Sequence, residues 1–279
     1  MTVRPVLSNA TRKLTHDVDV MDERGRSSII AIPAEQPLTI YVDKRELVTL
    51  MTLGGAPEAL TLGYLRNQRL IRDIEDIVSV QVDWEVDAAV VVTRGGLGEV
   101  AERFARQTVT SGSGAEGSVF TDLMEEVDTI SLPADARLKQ STLQTIIEKV
   151  RTHRSIYKQA GSLHGCALFS SEGELIYFAE DVGRHNAVDA IAGKMWFDGV
   201  PGGDKIFYTT GRLTSEMVMK GAQMGIPFLL SRSGATQMGH MLAERLNMSL
   251  FARCSGPHFL LLSGTERFIF DVEIAKGIS

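Results

Sequence analysis

Three segments in the second half of the chain place arginine, small hydroxyl residues and glycine where apolar, strand-like runs end. Lys205–Tyr208 leads into Thr209-Thr-Gly-Arg-Leu-Thr-Ser215, and Phe228–Leu230 leads into Ser231-Arg-Ser-Gly-Ala-Thr236. A third run, after Asn247, ends in Phe251-Ala-Arg-Cys-Ser-Gly256. Free backbone N–H groups at a helix start, together with guanidinium forks, bind phosphate and pyrophosphate. Arg212, Arg232 and Arg253, with Ser231 and Ser233 beside them, are therefore candidate anion ligands. Surface arginines that cap turns would leave the same trace at any one of these ends; its repetition at three of them points to an anion site.

A second dense polar run is Glu180-Asp-Val-Gly-Arg-His-Asn186. It offers Arg184 and His185 as ligand-binding groups, while a capped helix start with Asp181 at the N-cap reads equally well. His164 and Cys166 share one face of a strand because side chains alternate along it, which raises a metal site built with His185. The chain has no H-x-E and no C-x-x-C, so the zinc-deaminase signature is missing and no metal is expected. A histidine in an apolar strand also reads as a satisfied core residue.

The elements that must position these groups follow from periodicity. Residues 1–25 are polar and weakly patterned, an arm or a frayed first strand. Strand-like runs cover Ile29–Ile32, Leu38–Val42 and Leu47–Met51, with Pro33, Pro37 and Asp43-Lys44 as turns. Pro57-Glu58 opens a helix, and strands follow at Ile77–Val82 and Ala88–Val92. This gives an α+β unit over residues 26–106. Residues 107–120 are Gly- and Ser-rich without apolar period, a linker or a mobile functional loop. Residues 121–279 form the last unit. Leu143, Ile146, Ile147 and Val150 predict a helix over 138–159. A hairpin of His164–Phe169 and Glu174–Phe178 and a helix over 186–197 come next. Strand–helix pairs then repeat, with helices over 215–223 and 236–246 and a strand over 249–252. Repeated βα units imply a largely parallel sheet, and ligands in such sheets bind beyond the carboxyl ends of the strands. The fold class is α/β.

Composition bounds the function. The chain has 279 residues, 44% hydrophobic and 23% charged, with a net charge of −6. No global basic field draws it to nucleic acid or to an anionic membrane, so any anion must be held by local arginines. Two cysteines exclude a disulfide framework and a four-thiolate zinc site. No apolar run reaches about 18 residues, and Met1–Val20 has no apolar signal core, so a cytoplasmic protein is expected.

Ala179-Glu-Asp-Val-Gly-Arg-His-Asn-Ala-Val-Asp189, Gly211-Arg-Leu-Thr-Ser-Glu-Met217 and Gly225-Ile-Pro-Phe-Leu-Leu-Ser-Arg-Ser233 resemble the FdhD family, the accessory sulfurtransferases of formate dehydrogenase. The likeness runs in order from about Leu38 to Arg267. It implies a C-terminal cytidine-deaminase-like α/β/α layered domain and a role in maturing a molybdenum- or tungsten-dependent formate dehydrogenase. It also implies a homodimer, and a persulfide that passes sulfur from a cysteine desulfurase to molybdopterin guanine dinucleotide. The family's cofactor segment falls on Phe251, Ala252, Arg253, Cys254, Ser255 and Gly256, in agreement with the strand-end arginines.

The sequence departs from the family at the sulfur-carrying loop. A C-G-x-C-like motif is expected there, and Thr110-Ser-Gly-Ser-Gly-Ala-Glu-Gly117 puts Ser113 and Glu116 at the two cysteine positions. Neither a hydroxyl nor a carboxylate holds a persulfide. Cys254 is the candidate substitute, since Arg253 beside it would lower a thiol pKa; a buried, inert thiol is the other reading. The expected function is cofactor binding with sulfuration or insertion, and the alternative is a cofactor-binding chaperone without persulfide transfer.

Overall fold

The computed structural model describes residues 4–96 and 127–272. The Gly/Ser-rich stretch 107–120, with Ser113 and Glu116, lies outside the described residues. The strands are β1 (Val6–Leu7), β2 (Thr15–Met21), β3 (Ser27–Pro33), β4 (Gln36–Val42), β5 (Arg45–Thr52), β6 (Ile77–Asp83), β7 (Ala88–Thr93), β8 (Leu138–Lys139), β9 (His164–Phe169), β10 (Leu175–Asp181), β11 (Ile206–Thr209), β12 (Phe228–Ser231), β13 (Ser249–Ser255), β14 (His258–Ser263) and β15 (Phe268–Ile269). The helices are α1 (Pro57–Asn67), α2 (Gln140–Thr152), α3 (Ile156–Ala160), α4 (Arg184–Asp198), α5 (Ser215–Gln223) and α6 (Gln237–Arg245). Among the described residues no helix is long and apolar enough to cross a membrane.

Two compact units interleave along the chain. The first falls within Met1–Glu126, Arg154–Cys166 and Tyr177–Val200, and the second within Val127–His153, Ala167–Ile176 and Pro201–Ser279. The division passes through β9 and β10.

The first unit holds a five-stranded sheet in the order β1-β6-β7-β4-β5. Its strands read as half-buried: Leu38, Ile40 and Val42 are fully buried on β4, and Ala89 and Val91 alternate with exposed Val90 and Val92 on β7. Strict alternation fixes which face of each strand meets the core. The β4–β5 hairpin turns on Asp43 and Lys44, both with positive φ (46° and 70°). That conformation matches the twist of the two strands. The Asp43 carboxylate accepts from Thr93 N and Oγ1 and ties the turn to β7.

Within residues 1–25 the strand alternative holds for 15–21, which form a full strand. β2 pairs with β3 over seven residue pairs, from Thr15 against Pro33 to Met21 against Ser27. Asp17 and Asp19 alternate with Val18 and Val20 there, so the window has strand period but little net apolarity.

Helix α1 packs against α4 at very short range. A Cβ on Gly63 would lie 1.7 Å from Asp189 O, and one on Gly193 would lie 1.8 Å from Ala59 O. Small residues on both helices allow backbones to approach where larger ones would hold them at the usual 8–10 Å separation of helix axes.

The single helix expected over 138–159 is two. α2 ends at Thr152, His153 leaves helical geometry with ψ 134°, and α3 restarts at Ile156. The Ser155 side chain caps α3 by accepting from Lys158 N, and the Glu180 carboxylate accepts from Ile156 N and Tyr157 N. Those side-chain acceptors satisfy the first amides of a new helix, which makes the break stable.

The second unit is built on the sheet ordered β10-β9-β11-β12-β13-β14. β11, β12 and β13 run parallel, joined through α5 and α6, and β14 returns antiparallel to β13. All residues of β11 and β12 are buried, the continuous apolar pattern of a sheet covered on both faces. Gly221 lets α5 settle on β12, where a Cβ would meet Leu229 Cδ2 at 2.8 Å. β13 runs on to Ser255, three residues beyond the expected 249–252, so Arg253 and Cys254 lie within the strand and not in the turn after it.

Replacing Gly193 by Ala puts a methyl carbon inside the contact distance of a helix backbone. Gly193→Ala is expected to lose about 3 kcal/mol or more of stability, read from urea unfolding of the full chain against wild type.

Candidate functional site

The carboxyl ends of the three parallel strands are tied together beyond the strands themselves. Thr209 and Ser231 face each other in the β11–β12 register, and both are fully buried. Each hydroxyl accepts the amide two residues on: Thr209 Oγ1 from Gly211 N at 3.0 Å, and Ser231 Oγ from Ser233 N at 2.9 Å. This side-chain-to-backbone turn is what Ser and Thr favour at the end of a strand. Ser231 Oγ also donates to Gly211 O at 2.6 Å, joining the two loops.

Backbone bonds continue the join. Arg232 N donates to Thr209 O at 3.0 Å and Arg253 N to Ser233 O at 2.7 Å. Leu213 N donates to Gly234 O at 2.9 Å and Thr236 N to Leu213 O at 3.1 Å, which makes Leu213 and Ala235 a further parallel bridge. The main chains of Arg232 and Arg253 and of both neighbours of Arg212 are thus held in this network, while the side chains of Arg212, Arg232 and Arg253 are exposed. None of the three guanidiniums is in an ion pair among the described residues.

Arg253 stands at a bulge of β13 with φ 54°, and the β13–β14 register shifts between Ala252 and Ser255. A bulge re-aims the side chains around it. Below it, the Phe251 ring packs on Phe259 and Phe268 with centroids 5.9 and 5.1 Å apart, in tilted and edge-on geometry. Two helices start at these ends. Thr236 caps α6 by accepting from Gly239 N at 3.2 Å, whereas α5 begins after Thr214 without a side-chain cap.

The expected ligand set divides on burial. Arg212, Arg232, Arg253, Ser255 and Gly256 are exposed and Ser233 is half-buried. Ser231, Phe251, Ala252 and Cys254 are buried, so they form the floor of the strand ends and present no side chain to solvent. The expectation of a lowered Cys254 thiol is reversed. Its side chain is buried, and burial, only partly offset by a backbone hydrogen bond from Ser231, pushes the thiol up to about 12. Cys166 is buried as well.

Arg184 and His185 belong to the other compact unit, at the first turn of α4. The run that contains them is occupied by structural bonds. Asp181 is the last residue of β10 and not the helix N-cap, which is Gly183. Its Oδ2 accepts from Thr52 Oγ1 and Leu53 N, and its Oδ1 accepts from Gly183 N and Asn186 Nδ2. Asn186 also donates to Met51 O at 2.7 Å. Burial outweighs those donors and holds the Asp181 carboxyl above its ordinary value. Nothing in the sequence signals Thr52 as its partner, 129 positions away. Among the described residues no group of three His, Cys, Asp or Glu side chains could hold a metal ion.

The first unit also holds a pocket of about 140 Å³ that sequence reading missed, walled by Leu14, Leu53, Leu60, Ile156 and Phe178 with Lys194 at its side. Burial holds the Lys194 ammonium below its ordinary pKa. Its lining comes from segments far apart in the chain, which no local pattern reveals.

Comparison with known proteins adds a family. The pattern of the FdhD/NarQ family matches residues 33–269. The chain is 31% identical over 240 residues to a sulfur carrier protein FdhD of Listeria innocua, covering 85% of this chain and 91% of that one. It is 28% identical over 254 residues to a sulfur carrier protein FdhD of Saccharolobus solfataricus, covering 90% and 95%. Among solved structures, one of a formate dehydrogenase accessory protein from Desulfotalea psychrophila superposes with a TM-score of 0.72 at 25% identity, covering 91% of this chain and 98% of that one.

A carboxyl whose pKa rises on folding stabilises the fold fully below its unfolded pKa, and that contribution is lost as pH rises through the folded value. For Asp181 the window opens near 3.8 and extends upward. The stability of wild type relative to Asp181→Asn is therefore expected to decline as the pH rises above about 4, measured by urea unfolding of both proteins at each pH.

Proposed function

The chain belongs to the FdhD/NarQ family, and from that premise we propose that it is a formate dehydrogenase accessory protein that binds the molybdopterin guanine dinucleotide cofactor at the strand ends of its second unit. The observation that carries this reading is the set of three exposed guanidiniums, outside any ion pair among the described residues, on strand ends locked together by backbone bonds. A guanine dinucleotide brings a pyrophosphate, and planar guanidinium forks match phosphate oxygens two at a time. Arg212, Arg232 and Arg253 would hold the phosphates, with Ser233, Ser255 and Gly256 along the same edge. The cofactor is cargo here, delivered to the dehydrogenase; a homodimer and a cysteine desulfurase partner belong to the same proposal.

A specific observation favours the chaperone form of this function over sulfur relay by this chain. The protein has two cysteines. Both are buried, and the one beside the arginines holds its proton far above neutral pH. Persulfide transfer needs a thiolate that a donor can reach. By the likeness to the family, Ser113 and Glu116 stand where its loop carries cysteines. The chain retains the chemistry for holding a nucleotide cofactor and lacks an accessible thiol for carrying sulfur.

Isothermal calorimetry with GDP, which carries the nucleotide half of the cofactor, tests the site. Binding is expected in wild type, with Arg232→Ala and Arg253→Ala each weakening it about five- to tenfold, or about 1–1.4 kcal/mol. No GDP binding by wild type removes the reading. Intact-mass measurement after incubation with a cysteine desulfurase and free cysteine tests the chaperone form. The expected result is no added sulfur on Cys166 or Cys254; a stable persulfide on Cys254 would restore the sulfur-carrier reading.

A further inference from the structure

Anion binding by separate arginines depends on their spacing, and one buried hydroxyl sits where that spacing is set. β11 and β12 end level with each other, Thr209 against Ser231. Two residues further on, Gly211 precedes Arg212 in one loop and Ser233 follows Arg232 in the next. Ser231 Oγ lies between these two positions, 2.9 Å from Ser233 N and 2.6 Å from Gly211 O. It accepts within its own loop and donates to its neighbour, so its proton is fixed by geometry and both bonds hold at once. The residue is fully buried, which keeps water from competing for either bond and keeps the hydroxyl away from any ligand.

We propose that Ser231 is a positioning residue for the strand-end anion site: its hydroxyl locks the Arg212 loop to the Arg232 loop and thereby sets the distance between the two guanidiniums. This rests on the reading of the strand ends as the cofactor's phosphate site. Removing the hydroxyl leaves buried Gly211 O and half-buried Ser233 N without this partner, and the loops regain satisfaction by moving apart enough for water to reach them. Two arginines that close on one pyrophosphate then act with less preorganisation, which costs affinity although no ligand contact is lost. Arg253 shares the effect, because its amide is bonded to Ser233 O.

The test uses the full chain with Ser231→Ala and Ser231→Thr. Threonine keeps the hydroxyl, and Thr209 occupies the same level of the neighbouring strand. Ser231→Ala is expected to weaken GDP binding about tenfold and to speed hydrogen exchange in segments 210–214 and 232–236 while the sheet strands stay protected. In that background Arg212→Ala is expected to cost less affinity than in wild type, the non-additivity of residues acting as a unit. Ser231→Thr is expected to recover affinity to within about threefold of wild type. Wild-type affinity in Ser231→Ala, or weaker binding with unchanged loop exchange, overturns the proposal. Failure of the phosphate-site reading looks different: wild type itself does not bind GDP, which removes the ligand half of the proposal, while the exchange data still show whether Ser231 joins the loops.

Discussion

The ladder between β11, β12 and β13 continues past the last residues of the strands, and the candidate site depends on that continuation. Parallel strands place their carboxyl ends side by side, but the loops that follow are ordinarily free to diverge. Here each loop is bonded to the one before it, through Arg232 N to Thr209 O, Arg253 N to Ser233 O and the Leu213–Ala235 bridge. The backbone bonds between loops fix the spacing of the strand ends from which Arg212, Arg232 and Arg253 project. Buried Thr209, Ser231, Phe251 and Cys254 underlie those ends.

The first unit solves a different problem with similar means. Its central carboxylate, Asp181, gathers four donors from the end of β5 and the start of α4. A buried acid is costly unless its oxygens are filled, and filling them joins segments that are far apart in sequence. The glycines of α1 and α4 bring the two helices close enough for Asn67 to donate to the Asp189 carboxylate at 2.6 Å. Polar groups in this unit organise the backbone. In the second unit Arg212, Arg232 and Arg253 stay exposed and outside any ion pair among the described residues.

Much of the architecture was legible in the residue order, for physical reasons that differ by element. β4, β6 and β7 are short apolar runs bounded by turn residues, and the helix over 215–223 carries its apolar face in period, so local pattern located them. The strand-end arginines were found because glycine and hydroxyl residues mark where a strand gives way to a loop. What escaped was what depends on distant partners. The break between α2 and α3 is sustained by Glu180, more than twenty positions on, and the Asp181–Thr52 bond has no local trace. β2 was hidden by its own carboxylates, and the burial of Cys254 by the length of β13. The E-D-V-G-R-H-N run illustrates the limit: its composition suggests chemistry, yet Glu180, Asp181 and Asn186 are occupied with holding the backbone.

The burial of both thiols has a consequence for where the protein can operate. Persulfides, low-molecular-weight thiols and their oxidised forms react with any thiolate they can reach. An exposed thiolate in that company is drawn into mixed disulfides and climbs the ladder to sulfenic and sulfinic acids. With Cys166 and Cys254 closed inside the fold, the chain has no handle for such exchange. Its two thiols are silent toward exchange, so reactive sulfur species in solution meet the fold without being captured at either cysteine.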